Sequence, residues 1–298
     1  MPRTVFSIVK AGCFVLACVL SSSMAASPQE IDSSSVDQIL GRPGQKTGDV
    51  YRWAFPRTDL HVSVHGLAIR PGLALGSWAA FLGTDGDAMV MGDLVLLEDE
   101  LNPVIDKLRA SGFEITAIHN HLINETPHVL YAHYMGHGPA SRLATSLRSA
   151  LSASKTPLEK PVAPAEEAAP PAWVAIVQDS LGRKGSFKGG VLSFGIPRRD
   201  EVTSGGMTVP PAAGVGEAIN FQGADAGQVA TTGDFVLTAA EVNLVLSELR
   251  SHNVSVTALH SHMLTEQPRL FFMHFWAVGD PQSVAAGMKA ALSHVSLK

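Results

Sequence analysis

The sequence predicts an α+β protein, an antiparallel sheet with covering helices built once and repeated in tandem, with an element order that suits a ferredoxin-like arrangement. Three observations carry this. Sliding the chain against itself by 141 residues brings most of it into register. A Pro-, Ala- and Glu-rich stretch separates the two matching parts. Within each part, short β-like runs alternate with stretches whose apolar residues recur at helical spacing.

The register match starts with Val36 to Gly41 on Val177 to Gly182, and Pro56, Arg57 and Asp59 on Pro197, Arg198 and Asp200. After a one-residue slip, Pro71, Gly76 and Phe81 fall on Pro211, Gly216 and Phe221. The original offset then returns, with Gly92-Asp93 on Gly233-Asp234 and Glu100 on Glu241. A period this long means duplicated domains, not a solenoid. The expected organisation is a leader over residues 1–26, a first repeat over 27–151, an extended linker over 152–171 and a second repeat over 172–298.

Each element has a local reason. The runs Trp78 to Leu82 and Ala218 to Gln222 read as strands. Thr238-Ala239-Ala240-Glu241 is a capping-box pattern ahead of Val242, Val245, Leu246 and Leu249, so a helix begins there. It should end at Asn253, which matches Gly112; these two residue types tolerate a left-handed cap. Pro103 is expected near the start of the equivalent helix, where its missing N–H costs least. The β-like runs Phe113 to His121 and Val129 to Met135 follow, matched by Val254 to His262 and Leu270 to Trp276. Asp280-Pro281 opens a closing helix with Val284, Met288 and Leu292 on one face. Trp78, Trp173 and Trp276 lie in apolar runs and are expected in the core.

Composition narrows the function classes. A formal charge of −5 with no polybasic run gives no footprint for nucleic acid or an anionic membrane surface. The apolar stretch from Ala11 to Leu20, flanked by Arg3 and Lys10 and followed by small residues at Ser23 to Ala26, reads as a signal peptide and is too short to span a bilayer. The expected location is therefore outside the cytoplasm, periplasmic or extracellular, with no transmembrane segment after leader removal. Val15-Leu16-Ala17-Cys18 loosely resembles a lipobox, which makes a lipid anchor through Cys18 the alternative. Cys13 and Cys18 both fall in this leader, so after soluble cleavage a metal site would have to use His and carboxylate.

The feature with chemical content is a cluster present in both copies. It reads HNHLINETPHVLYAH from His119 to His133 and HSHMLTEQPRLFFMH from His260 to His274. Aligning residues 113–138 with 254–279 leaves eight identities in 26 positions, and His119, His121, Glu125 and His133 are among them. His128 and His137 are replaced by Arg269 and Val278, so particular histidines are kept rather than histidine in general. On a strand, positions i and i+2 share a face. His119 and His121 would then continue the apolar row Phe113, Ile115, Ala117, and His133 would share a face with Val129, Tyr131 and Met135. A hairpin turning near Pro127 would set His121 opposite His133, with Glu125 at its tip. Three imidazoles and a carboxylate suit Zn²⁺ or a neighbouring transition metal. The candidate metal ligands are thus His119, His121, Glu125 and His133, with His260, His262, Glu266 and His274 in the second copy. The bland alternative is an internal network of neutral imidazoles paired to the two glutamates.

Two other patterns come near and fit less well. The first cupin motif shares His-x-His-x3-Glu, but here a helix precedes the strand and the third His follows only eight residues after Glu125. The 2H phosphoesterases use tandem strand histidines in two halves but need His-x-Thr/Ser. Arg57 with Asp59, and Arg198 with Asp200, form a second retained polar set. It reads either as support behind the His cluster or as a structural bridge at a strand end.

With LGRPG at Leu40 to Gly44, LGSWAAF at Leu75 to Phe81 and HNHLINETP from His119, the sequence resembles the LppY/LpqO-type family of bacterial exported proteins and lipoproteins, a domain of unknown function. The resemblance spans essentially the whole mature chain. It implies an envelope location and in some members a lipid anchor. Some members carry a peptidoglycan-binding label, and the family brings no established chemistry. Three functions follow as expectations: an envelope protein binding a transition metal, zinc first; a metal-dependent hydrolase of envelope material with Glu125 or Glu266 as general base; or a non-catalytic module for peptidoglycan or another partner.

Overall fold

The computed structural model describes residues 29–159 and 169–298, together with Met1, Pro2 and Thr4. The expected signal peptide, with Cys13 and Cys18, otherwise lies outside the described residues, as does the middle of the expected linker.

The first repeat runs α1 (Ser33–Leu40), β1 (Gln45–Thr47), β2 (Val50–Pro56), β3 (Ser63–Val64), β4 (Leu67–Ala68), α2 (Pro71–Ala74), β5 (Gly76–Gly83), β6 (Ala88–Leu97), α3 (Glu98–Ala110), β7 (Glu114–His119), β8 (Glu125–Thr126), β9 (Val129–Gly138) and α4 (Ala140–Leu151). The second runs α5 (Ala172–Leu181), β10 (Ser186–Lys188), β11 (Val191–Pro197), β12 (Thr203–Ser204), β13 (Met207–Thr208), β14 (Gly216–Gly223), β15 (Val229–Leu237), α6 (Ala239–Ser251), β16 (Ser255–His260), β17 (Phe271–Gly279) and α7 (Pro281–Leu292).

Each repeat forms a six-stranded antiparallel sheet, ordered β1-β2-β5-β6-β9-β7 and β10-β11-β14-β15-β17-β16. Both β6 and β7 pair antiparallel with β9, so β6 and β7 run parallel with α3 connecting them. That is the split β-α-β unit of ferredoxin-like folds. Here β5 fills the place beside β6 from the N-terminal side, and β1 and β2 extend that edge.

The helices cover one face of each sheet. Val36 and Leu40 of α1, Val104 and Leu108 of α3, and Leu143 and Leu147 of α4 pack on Trp53, Phe55, Phe81 and Tyr134. In the second repeat Val177, Val245 and Met288 close over Phe194, Phe221, Phe235 and Phe275. Of the tryptophans, Trp53 is the fully buried one. Trp78, Trp173 and Trp276 are only partly buried and flank the apolar clusters. Fully burying a side chain such as Phe81 or Phe235 contributes about 1.5–3 kcal/mol, so the helix-covered layers stabilise each repeat substantially.

Helix ends follow the local chemistry. Glu241 accepts from the Thr238 backbone N–H at 2.7 Å, and Glu100 accepts from Leu97 N–H at 2.9 Å, so in both long helices a glutamate in the first turn reaches back to the N-cap N–H, the carboxylate half of a capping box. Gly112 and Asn253 adopt left-handed φ values of 87° and 59° just past the two helices. Asp280 accepts from Ser283 N–H at the start of α7. Pro103 lies in the interior of α3, because the helix begins at Glu98 rather than next to the proline. The linker expectation also changes. Lys155 N–H donates to Glu100, while Pro157 and Glu159 carbonyls accept from Arg42, so the first part of that segment docks on the first repeat.

The uncovered sheet faces turn toward each other. Met89, Met91 and Met135 share one apolar cluster with Val236, Met263 and Phe272, and Tyr131 shares another with Val191. Two hydrogen bonds across the interface repeat at the internal offset. Thr116 Oγ1 donates to the His262 carbonyl and Thr257 Oγ1 to the His121 carbonyl, both at 2.6 Å. The two copies therefore meet about a pseudo-twofold axis.

Candidate metal centre

A β-bulge decides which face carries the histidines. The β7–β9 pairing shifts between Ile115 and Ala117, and the β16–β17 pairing shifts between Val256 and Ala258. One extra residue flips every later side chain to the other face. Phe113 and Ile115 therefore pack into the helix-side core, whereas Ala117 sits opposite His133 and His119 opposite Tyr131. The single apolar row expected from Phe113 through His121 is thus broken at Thr116. His119, His121 and His133 face the other repeat.

There the two clusters become one. His119 stacks on His260 with ring centroids 3.5 Å apart, His121 on His274 at 3.7 Å, and His133 on His262 at 3.7 Å. Side-chain nitrogens of His119, His121 and His133 lie within 4.8 Å of one another, as do those of His119, His260, His262 and His274. All six Nε2 atoms are buried with no hydrogen-bond partner.

The opposite ring nitrogens explain how those lone pairs are presented. Nδ1 of His119 lies 3.2 Å from the Asn120 carbonyl oxygen, and Nδ1 of His260 lies 3.2 Å from that of Ser261. His274 Nδ1 lies 3.0 Å from the Gly233 carbonyl oxygen. A carbonyl only accepts, so each Nδ1 carries the proton and Nε2 keeps its lone pair, the usual way a metal-binding imidazole is oriented. Burial, then the charge of neighbouring histidines, holds His119, His121 and His262 below the ordinary histidine range. The same causes, with Asp234 opposing, bring His133 down to about 3 and His260 to about 4. These imidazoles are neutral at pH 7, the form that ligates.

Two carboxylates stand beside the cluster, outside the groups of converging ligand atoms. Asp93 and Asp234 are the cross-strand partners of His133 and His274. Asp93 Oδ2 lies 3.6 Å from His121 Nε2 and 3.8 Å from His133 Nε2. Asp234 Oδ1 lies 2.9 Å from His274 Nδ1. Burial and the charge of Asp234 push Asp93 well above the usual carboxylate range. Burial would also raise Asp234, but His274 beside it outweighs that and the net direction is down. The preceding glycines make this possible. A Cβ at Gly92 would meet the Trp78 carbonyl oxygen at 2.1 Å, and one at Gly233 the Ala218 oxygen at 1.8 Å. Only glycine lets the neighbouring strand approach so closely. The repeat alignment contained this pair as Gly92-Asp93 on Gly233-Asp234, but nothing in the linear sequence tied it to histidines some 40 residues away.

Glu125 and Glu266 stand elsewhere. Glu125 Oε1 lies 2.6 Å from His128 Nδ1 and accepts from Val129 N–H, and Glu125 pairs with Val64 in the small sheet β4-β3-β8. Glu266 binds Arg269 at 3.2 Å and accepts from Leu270 N–H. Neither belongs to the groups whose ligand atoms converge. Each carboxylate instead ties its turn to the start of the following strand, which accounts for its retention without a metal.

The arginine pairs are structural bridges. Arg57 is fully buried and binds Asp59, both Glu100 oxygens and the Val95 carbonyl. Arg198 binds Asp200, Glu241 and the Val236 carbonyl. Each locks a strand end to the first-turn glutamate of the next helix. Neither arginine has a hydrogen bond or ion pair to a cluster histidine among the described residues, so the expectation of support behind the cluster is replaced by this bracing role.

A cavity of about 680 Å³ between the repeats reaches the cluster, with His121, His133, His262, Asp93 and Asp234 on its wall. Arg52 also lines it, its guanidinium 3.9 Å from the Trp78 ring centroid.

Two tandem matches, over residues 34–153 and 175–294, are to the family described as Domain of Unknown Function (DUF1259). The chain belongs to this family. Each match contains one complete His triad and its aspartate, so both family domains contribute to the centre. No curated protein matches. Among solved structures, the chain is similar to the trimeric bacterial microcompartment shell protein PduB at 13% identity, covering 84% of this chain and 89% of that one with a TM-score of 0.19. It is also similar to EtuB from Clostridium kluyveri at 12% identity, covering 84% and 90% with a TM-score of 0.18. Likeness at that level says nothing about assembly or chemistry here.

Proposed function

We propose that this chain is a transition-metal-binding protein whose centre is assembled from both family domains, with zinc as the first candidate. One observation carries the reading: six buried imidazole Nε2 atoms converge with no hydrogen-bond partner. A buried polar atom left unpaired costs about 1–3 kcal/mol, and a structure holding six at one place needs something there to satisfy them. Neutral imidazoles with a nearby carboxylate are the donor set that Zn²⁺, Cu²⁺ and Ni²⁺ prefer. Protein purified without a His tag and incubated with zinc should retain at least one ion per chain after dialysis. His119→Ala with His260→Ala should lose it. An untagged protein that retains no zinc, copper or nickel would remove the proposal.

A hydrolytic role is the second reading, favoured by the cavity on whose wall His121, His133, Asp93 and Asp234 lie. Zinc held there would lower the pKa of its bound water to about 7, and an aspartate beside it could take the proton. Asp93 and Asp234 replace Glu125 and Glu266 in this role. Zinc-loaded protein should then cleave simple ester or amide probes and lose that activity in Asp93→Asn at zinc concentrations high enough to keep the variant loaded; identical rates in the two proteins would leave only binding.

Placement in the envelope is supported by the apolar leader and by the likeness to LppY/LpqO-type exported proteins. Recovery of the full-length, unprocessed chain from the cytosol alone would contradict it.

A further inference from the structure

We infer that the interface holds two metal ions side by side, one per repeat, each with three imidazoles and one aspartate. The inference rests on the metal-binding reading above and adds the number of ions and two ligands, Asp93 and Asp234.

The donors outnumber what one ion can use. Besides the six Nε2 atoms, Oδ1 of Asp93 and Oδ1 of Asp234 are buried without a hydrogen bond. Asp234 Oδ1 approaches His274 Nδ1, but that N–H is already directed at the Gly233 carbonyl. Six imidazoles and two carboxylates are too many donors for one zinc ion, which takes four ligands in a tetrahedron. Divided in two, they give each ion three imidazoles with an aspartate beside each set: Asp93 Oδ2 faces the Nε2 atoms of His121 and His133, and Asp234 Oδ1 lies against His274 Nδ1. Geometry divides the histidines the same way. The six histidines do not fall within one group of mutually close ligand atoms but form two, which have only His119 in common.

The internal repeat assigns the members. His119, His121 and His133 form one triad, and Asp93 faces the Nε2 atoms of two of them. The same positions 141 residues on give His260, His262, His274 and Asp234. His119 and His260, stacked on each other, stand between the two sets near the pseudo-twofold axis. This placement explains why His119 lies close to both groups. It also gives the two buried aspartates a purpose that a single ion would not.

Zinc titration of the full chain, stripped of metal and free of tags, decides the number. Two equivalents should bind before saturation, and Co²⁺ should give d–d absorption that rises linearly to two equivalents. Asp93→Asn with Asp234→Asn should weaken both ions by at least tenfold, since these groups then supply neutral amides. Removing one triad with His121→Ala and His133→Ala should leave one equivalent bound. Saturation at one equivalent in the unaltered chain overturns the inference while leaving the metal-binding proposal in place. Unchanged affinity in the double Asn variant overturns the ligand assignment. Absence of binding overturns both. The cobalt titration needs no variant, so a substitution that impairs folding does not weaken the test.

Discussion

Replacing Arg57 with methionine should cost the first repeat about 3–5 kcal/mol, the usual penalty for removing one partner of a buried ion pair. Arg57 has no solvent exposure, and Glu100 behind it is nearly as buried. Its guanidinium also satisfies the Val95 carbonyl. Burial alone would lower the Arg57 pKa, but Asp59 and Glu100 outweigh that and raise it, so the charge belongs to the folded state. A domain of this size has about 5–15 kcal/mol in total, so the loss is a large share. Urea denaturation should show a much lower midpoint, and adding Glu100→Gln to Arg57→Met should recover part of it. A change below about 1 kcal/mol, the scale of an exposed pair, would contradict the bracing role.

Metal-free protein should lose stability steeply as the pH falls below about 6.5, the pKa of an unperturbed histidine. His119, His121, His133, His260 and His262 all have folded pKa values below that. Between the two values the unfolded chain binds more protons than the folded one, so stability rises with pH there and is fully present above the unfolded pKa. Each such histidine contributes up to about 1.4 kcal/mol per pH unit while the difference lasts. The window extends down through about 4 for His260 and about 3 for His133. Thermal melts in the presence of chelator should fall sharply between pH 6.5 and 4.5. His133→Gln with His262→Gln should flatten that slope. Equal melting temperatures across the range would mean that these imidazoles are not buried as a group.

Much of this was legible in the sequence for one physical reason: duplication provides an internal comparison. The +141 register separated His119, His121 and His133 from His128 and His137, and paired Gly112 with Asn253 as left-handed caps. What the register could not show is direction. The bulge at Thr116 adds one residue to the strand, and strand periodicity read without it sends the histidines to the wrong face. Nor does retention identify a role. Glu125 and Glu266 are kept because they hold a turn, and Arg57 and Arg198 because they brace a helix start. Asp93 and Asp234 are kept beside the histidines, yet they lie on strands that meet the His strands only through sheet pairing. The convergence of both clusters depends on two sheet faces packing together, which no local pattern encodes.

If the two family domains build one metal centre between them, bound zinc lies between the two sheets. Zinc-edge anomalous diffraction from zinc-loaded crystals locates it. Anomalous density is expected about 2.0–2.1 Å from Nε2 atoms of the six clustered histidines. Zinc bound instead at Glu125 with His128, or no ordered zinc at the interface, would contradict it.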